Sequence, residues 1–126
     1  MRPFVVTVVE DEPSHATLIE YHLELLGAQV NIYTSGALFM KNSGLDECHP
    51  LIISDDLDDF PITALLEHLQ DDKAQPRSIV ILSTGRNEEL SSPFHHIHYL
   101  HKPFSIGDFR DTMSKLTSNL PELSCT

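Results

Sequence analysis

Four apolar segments of this 126-residue sequence each end in side chains suited to anion or metal chemistry. Glu10 and Asp11 follow the first of these segments, Asp55 follows the next, and Ser83 and Lys102 stand at the ends of the last two. Carboxylate oxygens are the ligands that hard divalent cations prefer. A hydroxyl and an ammonium can donate hydrogen bonds to an anion such as a phosphoryl group. The sequence therefore predicts one site that combines a cation with a phosphoryl-like anion.

The segments that carry these residues are predicted to be buried parallel β-strands. Residues 4–9, 51–54 and 78–82 are apolar and rich in β-branched side chains, as expected of strands covered on both faces. Shorter runs at 30–33 and 97–100 complete a set of five. In a parallel α/β sheet, ligands bind outside the carboxyl ends of the strands. The site residues are therefore expected to converge at one edge of the sheet.

The segments between the strands are predicted to be helices. Pro13 stands where the first turn of a helix tolerates proline, and Gly27 is the expected C-terminal stop of that helix. Ser35 and Ser105 stand at N-cap positions, and Asp108 supports the first turn after Ser105. Strands alternating with helices indicate a parallel sheet covered on both faces.

Two features between the fourth and fifth strands are unusual. Residues 86–90 could form one or two helical turns, but Pro93 should end them, because an interior proline costs about 3 kcal/mol. We therefore expect a short or irregular fourth helix. The dense group of histidines that follows could bind a metal ion, but no cysteine or acid lies beside it, which favours a solvated loop. These histidines are His95, His96, His98 and His101.

Length and composition indicate one globular domain. A chain of this size with 40% hydrophobic residues can bury one core. The net charge of −11 argues against a nucleic-acid-binding surface, which needs clustered Lys and Arg. No apolar run approaches the roughly 18 residues of a membrane span, so neither nucleic acid nor a membrane is an expected partner. The two separated cysteines, Cys48 and Cys125, and the lack of a signal peptide indicate a cytoplasmic location.

The order of these groups resembles the receiver domain of two-component response regulators. The similarity extends from about Val5 to Leu120, which implies a receiver domain over residues 1–120 and a tail or the start of a linker over 121–126. It also implies a (βα)5 doubly wound, flavodoxin-like, five-stranded parallel sheet. The residues that match the family are Glu10, Asp11, Asp55, Ser83, Tyr99 and the run Lys102-Pro103-Phe104.

The resemblance implies a role for each matching residue. Asp55 would accept the phosphoryl group as a carboxylate nucleophile, and Lys102 would contact that group. Ser83 would be the switch hydroxyl, with Thr84 as an alternative one position later, and Tyr99 would be the aromatic switch residue. The family usually has the lysine-proline peptide bond in cis. The implied ligands of Mg²⁺ are Glu10, Asp11, Asp55 and the backbone carbonyl of Leu57.

The resemblance also implies a switch and not a turnover enzyme. A histidine kinase or a histidine phosphotransfer protein would phosphorylate the domain, and the face of the last helix could bind a second copy or an output domain. Two alternatives stay open. One is a degenerate receiver that acts as a phosphorylation-independent docking module. The other is a phosphohydrolase of the haloacid dehalogenase type, suggested by Asp56 and Asp58 but without that family's motif at the first strand.

The loop after Asp55 departs from the family pattern. Asp58 and Asp59 occupy the positions of a usual Met-Pro pair, and a usual Gly is missing. Together with Asp56, these acids are expected to crowd around Asp11 and Asp55. Replacing Asp58 and Asp59 by Asn is then expected to stabilise the metal-free protein.

Overall fold

The computed structural model describes residues 5–41, 50–70, 78–84 and 97–119 of the chain. Strands and helices alternate through most of this part. The strands are β1 (Val5–Val9), β2 (Gln29–Tyr33), β3 (Leu51–Ser54), β4 (Ile79–Ser83) and β5 (Ile97–His101). The helices are α1 (Pro13–Leu25), α2 (Gly36–Lys41), α3 (Ile62–Gln70) and α4 (Ile106–Asn119).

All five strands are parallel, and their order in the sheet is β2-β1-β3-β4-β5. This is the flavodoxin-like order, in which a crevice opens between β1 and β3 where the order reverses. The predicted fold class is therefore confirmed. Ser54 pairs with Leu82, and Ser83 pairs with His101, so the carboxyl ends of β3, β4 and β5 lie at one level.

The core is divided into two layers by the alternation of side chains along the strands. On one face of the sheet, Ile19 of α1 and Phe109 of α4 belong to the same buried cluster as Ile52 of β3. On the other face, Leu65 of α3 belongs to the same cluster as Ile53 of β3, and α2 adds to this layer. Neighbouring residues of β3 thus face different helices, and a slip of one residue would exchange the two sets.

The predicted helix ends are confirmed. The Ser105 hydroxyl accepts a hydrogen bond from the Asp108 backbone N–H at 3.0 Å, and the Asp108 carboxylate accepts one from the Ser105 N–H at 3.5 Å. This reciprocal pair is a capping box. The Ser35 hydroxyl accepts a hydrogen bond from the backbone N–H of Leu38 in α2 at 3.1 Å. Pro13 begins α1, and Gly27 follows the helix with a φ of 89°, a conformation that favours glycine.

Some predictions concern residues that the structure does not describe. The short or irregular helix between β4 and β5 lies within residues 85–96, and the tail lies within 120–126, so both stay predictions. Of the clustered histidines, His98 is half-buried on β5 and His101 is exposed at its end. None of the helices over the described ranges is long and apolar enough to cross a membrane. Also outside these ranges lie His95, His96, Cys48 and Cys125.

The loop between β3 and α3 is attached to α2 through the carboxylate of Asp59. Asp59 Oδ1 accepts a hydrogen bond from Gly36 N at 3.1 Å, and Oδ2 accepts one from Ala37 N at 2.9 Å. A helix N-terminus has N–H groups without partners in the helix and favours a negative charge. A Cβ on Gly36 would lie 3.0 Å from a ring carbon of Phe60 and 3.1 Å from Asp59 Oδ1, so a larger residue here would require these side chains to shift by a few tenths of an ångström.

This contact corrects the expectation of a crowded acidic loop. The charge of Asp59 is satisfied by the backbone of α2, so its removal is expected to destabilise the protein and not to relieve repulsion. Partial desolvation raises the pKa of the Asp59 carboxyl, but the N–H donors of Ala37 and Gly36 outweigh it and hold the pKa below 3.8. A carboxyl whose pKa is lower in the folded protein than in the unfolded chain stabilises the folded state at pH values above its unfolded pKa. This stabilisation is lost as the pH falls through the folded pKa.

We therefore predict that Asp59→Ala lowers the free energy of unfolding at pH 7 by about 1 kcal/mol, as the loss of a helix cap does. Asp59→Asn should lose less, because its amide keeps one acceptor oxygen. The difference from wild type should shrink as pH falls below 3.8. Urea denaturation at pH 7 and at pH 3 measures this, with Asp58→Ala as the charge-matched control. An Asp59→Ala protein as stable as the control at pH 7 would contradict the cap.

Candidate functional site

The structure gathers the predicted site residues at the carboxyl edge of the sheet. Glu10 directly follows β1, Asp55 follows β3, Ser83 is the last residue of β4 and Lys102 follows β5. The backbone N–H of Lys102 donates to the carbonyl of Ser83 at 2.8 Å, which places the lysine against the end of β4. The peptide bond between Lys102 and Pro103 is cis, as the family pattern implies.

A buried ion pair lies at the centre of this edge. Lys102 Nζ lies 3.1 Å from Glu10 Oε2, and the two side chains are 9% and 0% exposed. The same ammonium donates to Ser54 Oγ at 3.0 Å and to Asp56 Oδ1 at 3.2 Å. Charge-assisted hydrogen bonds are stronger than neutral ones, and a low local dielectric strengthens them further. The lysine therefore joins the ends of β1, β3 and β5.

Asp56 is the more exposed partner of this lysine, with 35% of its side chain accessible. Desolvation raises the pKa of the Asp56 carboxyl, but hydrogen bonds from Ser54 and Lys102, together with the lysine charge, outweigh it and hold the pKa below 3.8. The Ser54 hydroxyl donates to Asp56 and accepts from Lys102, so it bridges the two charged groups. Asp56 is therefore ionised at neutral pH and acts as a counterion of the lysine.

Asp55 has a different set of contacts from its neighbour Asp56. Its side chain is buried. Asp55 Oδ1 accepts hydrogen bonds from the backbone N–H and from the hydroxyl of Thr84, each at 3.1 Å. Asp55 Oδ2 accepts from the same N–H at 3.2 Å. The hydroxyl that contacts Asp55 in these bonds is thus that of Thr84, the alternative that the sequence offered. Ser83 is fully buried one position earlier. The two consecutive acids of the loop therefore have different partners: Asp55 contacts Thr84, just after β4, and Asp56 contacts Lys102.

Three carboxylates are grouped closely enough to hold a metal ion. Glu10, Asp11 and Asp56 each offer one oxygen, and these oxygens all lie within 4.8 Å of one another. Asp11 Oδ2 also accepts a hydrogen bond from the Asp58 backbone N–H at 2.8 Å, which holds the loop against the acidic pair. An all-oxygen carboxylate set suits Mg²⁺, a hard cation. The donor chemistry of this cluster therefore fits the metal that the resemblance implies.

The observed cluster differs from the implied ligand set in one acid. The implied set used Asp55, whereas the close cluster contains Asp56. The Leu57 side chain is buried among the residues under α2 and α3, which fixes the loop backbone, and the role of its carbonyl stays a prediction. Tyr99 is half-buried against the same layer, and its role as a switch also stays a prediction.

Two members of this network, Ser54 and Asp56, are not among the site residues that the family resemblance implies. Ser54 is the last residue of an apolar strand and has the pattern of a core position. Asp56 is expected from the sequence to add negative charge to the loop and, in the phosphohydrolase alternative, to belong to an Asp-x-Asp motif. Their spacing gives no signal for this contact, because Asp56 lies in the turn after β3, where the alternation of a strand no longer applies.

No protein-family model matches the sequence, and no curated protein sequence matches it. Among solved structures, the chain is similar to a response regulator receiver domain protein from Bacillus halodurans, with 44% identity, a TM-score of 0.82 and coverage of 90% of this chain and 97% of that one.

Two more distant structures share the fold. One is the receiver domain of a sensor histidine kinase from Pseudomonas aeruginosa, with a magnesium ion coordinated in its active-site cleft (18% identity, TM-score 0.79, 94% of this chain and 100% of that one). The other is the response regulator TrrA from Thermotoga maritima in complex with Mg²⁺-BeF (19% identity, TM-score 0.73, 90% and 98%). The 44% identity to the Bacillus protein, over nearly the whole of both chains, decides the family. The chain belongs to the response regulator receiver domains.

Proposed function

We propose that this receiver domain accepts a phosphoryl group on Asp55 from a histidine kinase or a histidine phosphotransfer protein. The observation that carries the proposal is the buried Lys102–Glu10 ion pair at the same strand ends as Asp55 and the carboxylate cluster. A buried lysine beside acids suits a site that must neutralise an incoming phosphoryl group. Magnesium-bound and Mg²⁺-BeF-bound relatives of the same fold support the presence of a metal in the reaction.

The transfer exchanges one bond to phosphorus for another. An Asp55 carboxylate oxygen attacks the phosphorus, the bond to the imidazole nitrogen of the donor breaks, and the imidazole leaves with the electron pair. The N–H and hydroxyl of Thr84 hold the Asp55 carboxylate in position for this attack. Glu10, Asp11 and Asp56 would hold Mg²⁺. When bound, the metal neutralises charge on the transferring group.

The phosphorylated domain then acts as a switch. A phosphoryl group adds strong acceptor oxygens and negative charge beside Thr84 and Ser83, which shifts the balance between two conformations. Tyr99 on the neighbouring strand responds to that shift, and the face of α4 presents the changed surface to an output domain or a second copy. In this role the protein is a cytoplasmic signalling module and not a turnover enzyme.

A second candidate function is a docking module that works without phosphorylation. The observation that favours it is the set of three acceptors around Lys102 Nζ, which are Glu10, Ser54 and Asp56 and do not include Asp55. The altered loop with Asp58 and Asp59 points in the same direction. The two candidates differ in whether Asp55 can be phosphorylated at all.

Acetyl phosphate distinguishes these candidates. We expect incubation with acetyl phosphate and Mg²⁺ to give a single phosphoryl adduct in the intact mass, because a small donor needs no partner surface. Asp55→Asn should abolish the adduct, whereas Asp58→Asn, with the same change of charge in the same loop, should retain it. A chain that never gains the adduct is a docking module, and an adduct that survives Asp55→Asn places the acceptor elsewhere.

Metal binding gives a separate test. Mg²⁺ should raise the midpoint of thermal unfolding, because a ligand that binds only the folded state at 100 times its Kd stabilises it by about 2.7 kcal/mol. Asp11→Asn should lose most of this response, since it removes one of three ligands. Asp111→Asn, on the exposed side of α4, is the charge-matched control. At constant ionic strength, equal responses of both variants would exclude Asp11 from the metal site.

A further inference from the structure

The ammonium group of Lys102 is saturated by its contacts. A lysine ammonium has three N–H donors and no acceptor. Its three described partners are Glu10, Ser54 and Asp56, at 3.1, 3.0 and 3.2 Å. All three donors are therefore engaged, and Asp55, whose carboxylate accepts from Thr84, is not one of these three partners. Contact between the lysine and a phosphoryl group on Asp55 requires one of these three bonds to open.

The three bonds differ in how readily they open. Glu10 is 0% exposed, so the loss of its lysine partner would leave a buried carboxylate without its counterion, which is strongly unfavourable. The Asp56 side chain is 35% exposed, so water can solvate it once the ammonium leaves. Ser54 donates its own proton to Asp56, so it stays hydrogen-bonded to Asp56 in either position of the lysine.

We propose that Asp56 is a positioning residue that holds Lys102 away from the acceptor in the resting protein, and that the Lys102–Asp56 bond is the one that opens when a phosphoryl group reaches Asp55. This inference rests on the proposed function, because it assigns a role to the lysine in that reaction. Glu10 serves as the fixed anchor of the ammonium throughout. Asp56 therefore restrains phosphoryl transfer, in addition to being one of the three carboxylates that would hold Mg²⁺.

The reactivity of the Lys102 amine tests the resting contact without any phosphoryl donor or metal. The reagent is an N-hydroxysuccinimide ester of acetic acid at limiting concentration, with modified peptides quantified by mass spectrometry. The exposed Lys41 serves as the internal reference. Asp56→Asn should raise the relative modification of Lys102 about two- to fivefold, the range expected for an exposed ion pair. Asp58→Asn should leave it at the wild-type value, and a Lys102 reactivity unchanged by Asp56→Asn would overturn the proposal.

The rate of phosphorylation tests the release step. With acetyl phosphate at saturating Mg²⁺, Asp56→Asn should form the Asp55 adduct faster than wild type by a similar factor, because the lysine is already free to turn. Saturating metal removes any effect of the variant on metal affinity. A rate that is unchanged or lower, in a variant whose lysine reactivity has risen, would overturn the role of Asp56 as a restraint.

The lysine modification and the phosphorylation measurement together distinguish a failure of this inference from a failure of the proposed function. Wild-type protein that is phosphorylated on Asp55, with Lys102 reactivity insensitive to Asp56→Asn, keeps the function and overturns the inference. Protein that gains no phosphoryl group in any variant overturns the proposed function and the release step with it, while a rise in lysine reactivity would still establish the resting contact.

Discussion

The buried contact between Glu10 and Lys102 is the interaction on which the site depends. Glu10 is 0% exposed, and a carboxylate in such a position is stable only with a paired charge or several donors. Lys102 supplies that charge at 3.1 Å, and the Glu12 N–H adds a hydrogen bond at 3.1 Å. Strands β1 and β5 are separated in the sheet by β3 and β4, so the lysine spans the site from one side to the other. The position of its ammonium determines which acids are neutralised.

Around this contact, the acids of the loop after β3 have separate partners and do not form one repulsive group. Asp55 is held by Thr84, Asp56 by Lys102 and Ser54, and Asp59 by the N-terminus of α2. Asp58 contributes through its backbone N–H, which donates to Asp11. The loop therefore reaches the ends of β1, β4 and β5 and the N-terminus of α2 through its own polar groups, in place of the Met-Pro and Gly that the family usually has there.

Much of this arrangement could be predicted from residue types and spacing. The apolar runs of β1, β3 and β4 mark strands buried on both faces, and the caps at Ser35 and Ser105 have side chains suited to them. The rules for parallel sheets then bring the strand ends together. Sequence spacing did not reveal which of the two consecutive acids Asp55 and Asp56 meets the lysine. That choice depends on the direction in which each side chain leaves the end of the strand.

The hydrogen-bond partners of Asp59 could not be predicted from the sequence either, for a different reason. Asp59 and Gly36 are 23 positions apart, and their contact depends on the close approach of two loops. Composition shows an excess of acids but cannot show that one of them meets backbone N–H groups, because every helix N-terminus offers such donors. Ser54 was overlooked because a serine at the end of an apolar strand has no distinguishing pattern.

The contact between Glu10 and Lys102 also has a consequence for how the domain folds. The two residues are 92 positions apart, so their pairing closes a loop that contains most of the chain. Loop-closure entropy delays such contacts until the intervening strands are docked. A nascent or truncated chain without β5 has Glu10 but lacks Lys102, the lysine that pairs with it. This contact therefore cannot form on a fragment that ends before β5, and the charge arrangement around Glu10 is completed only together with the sheet.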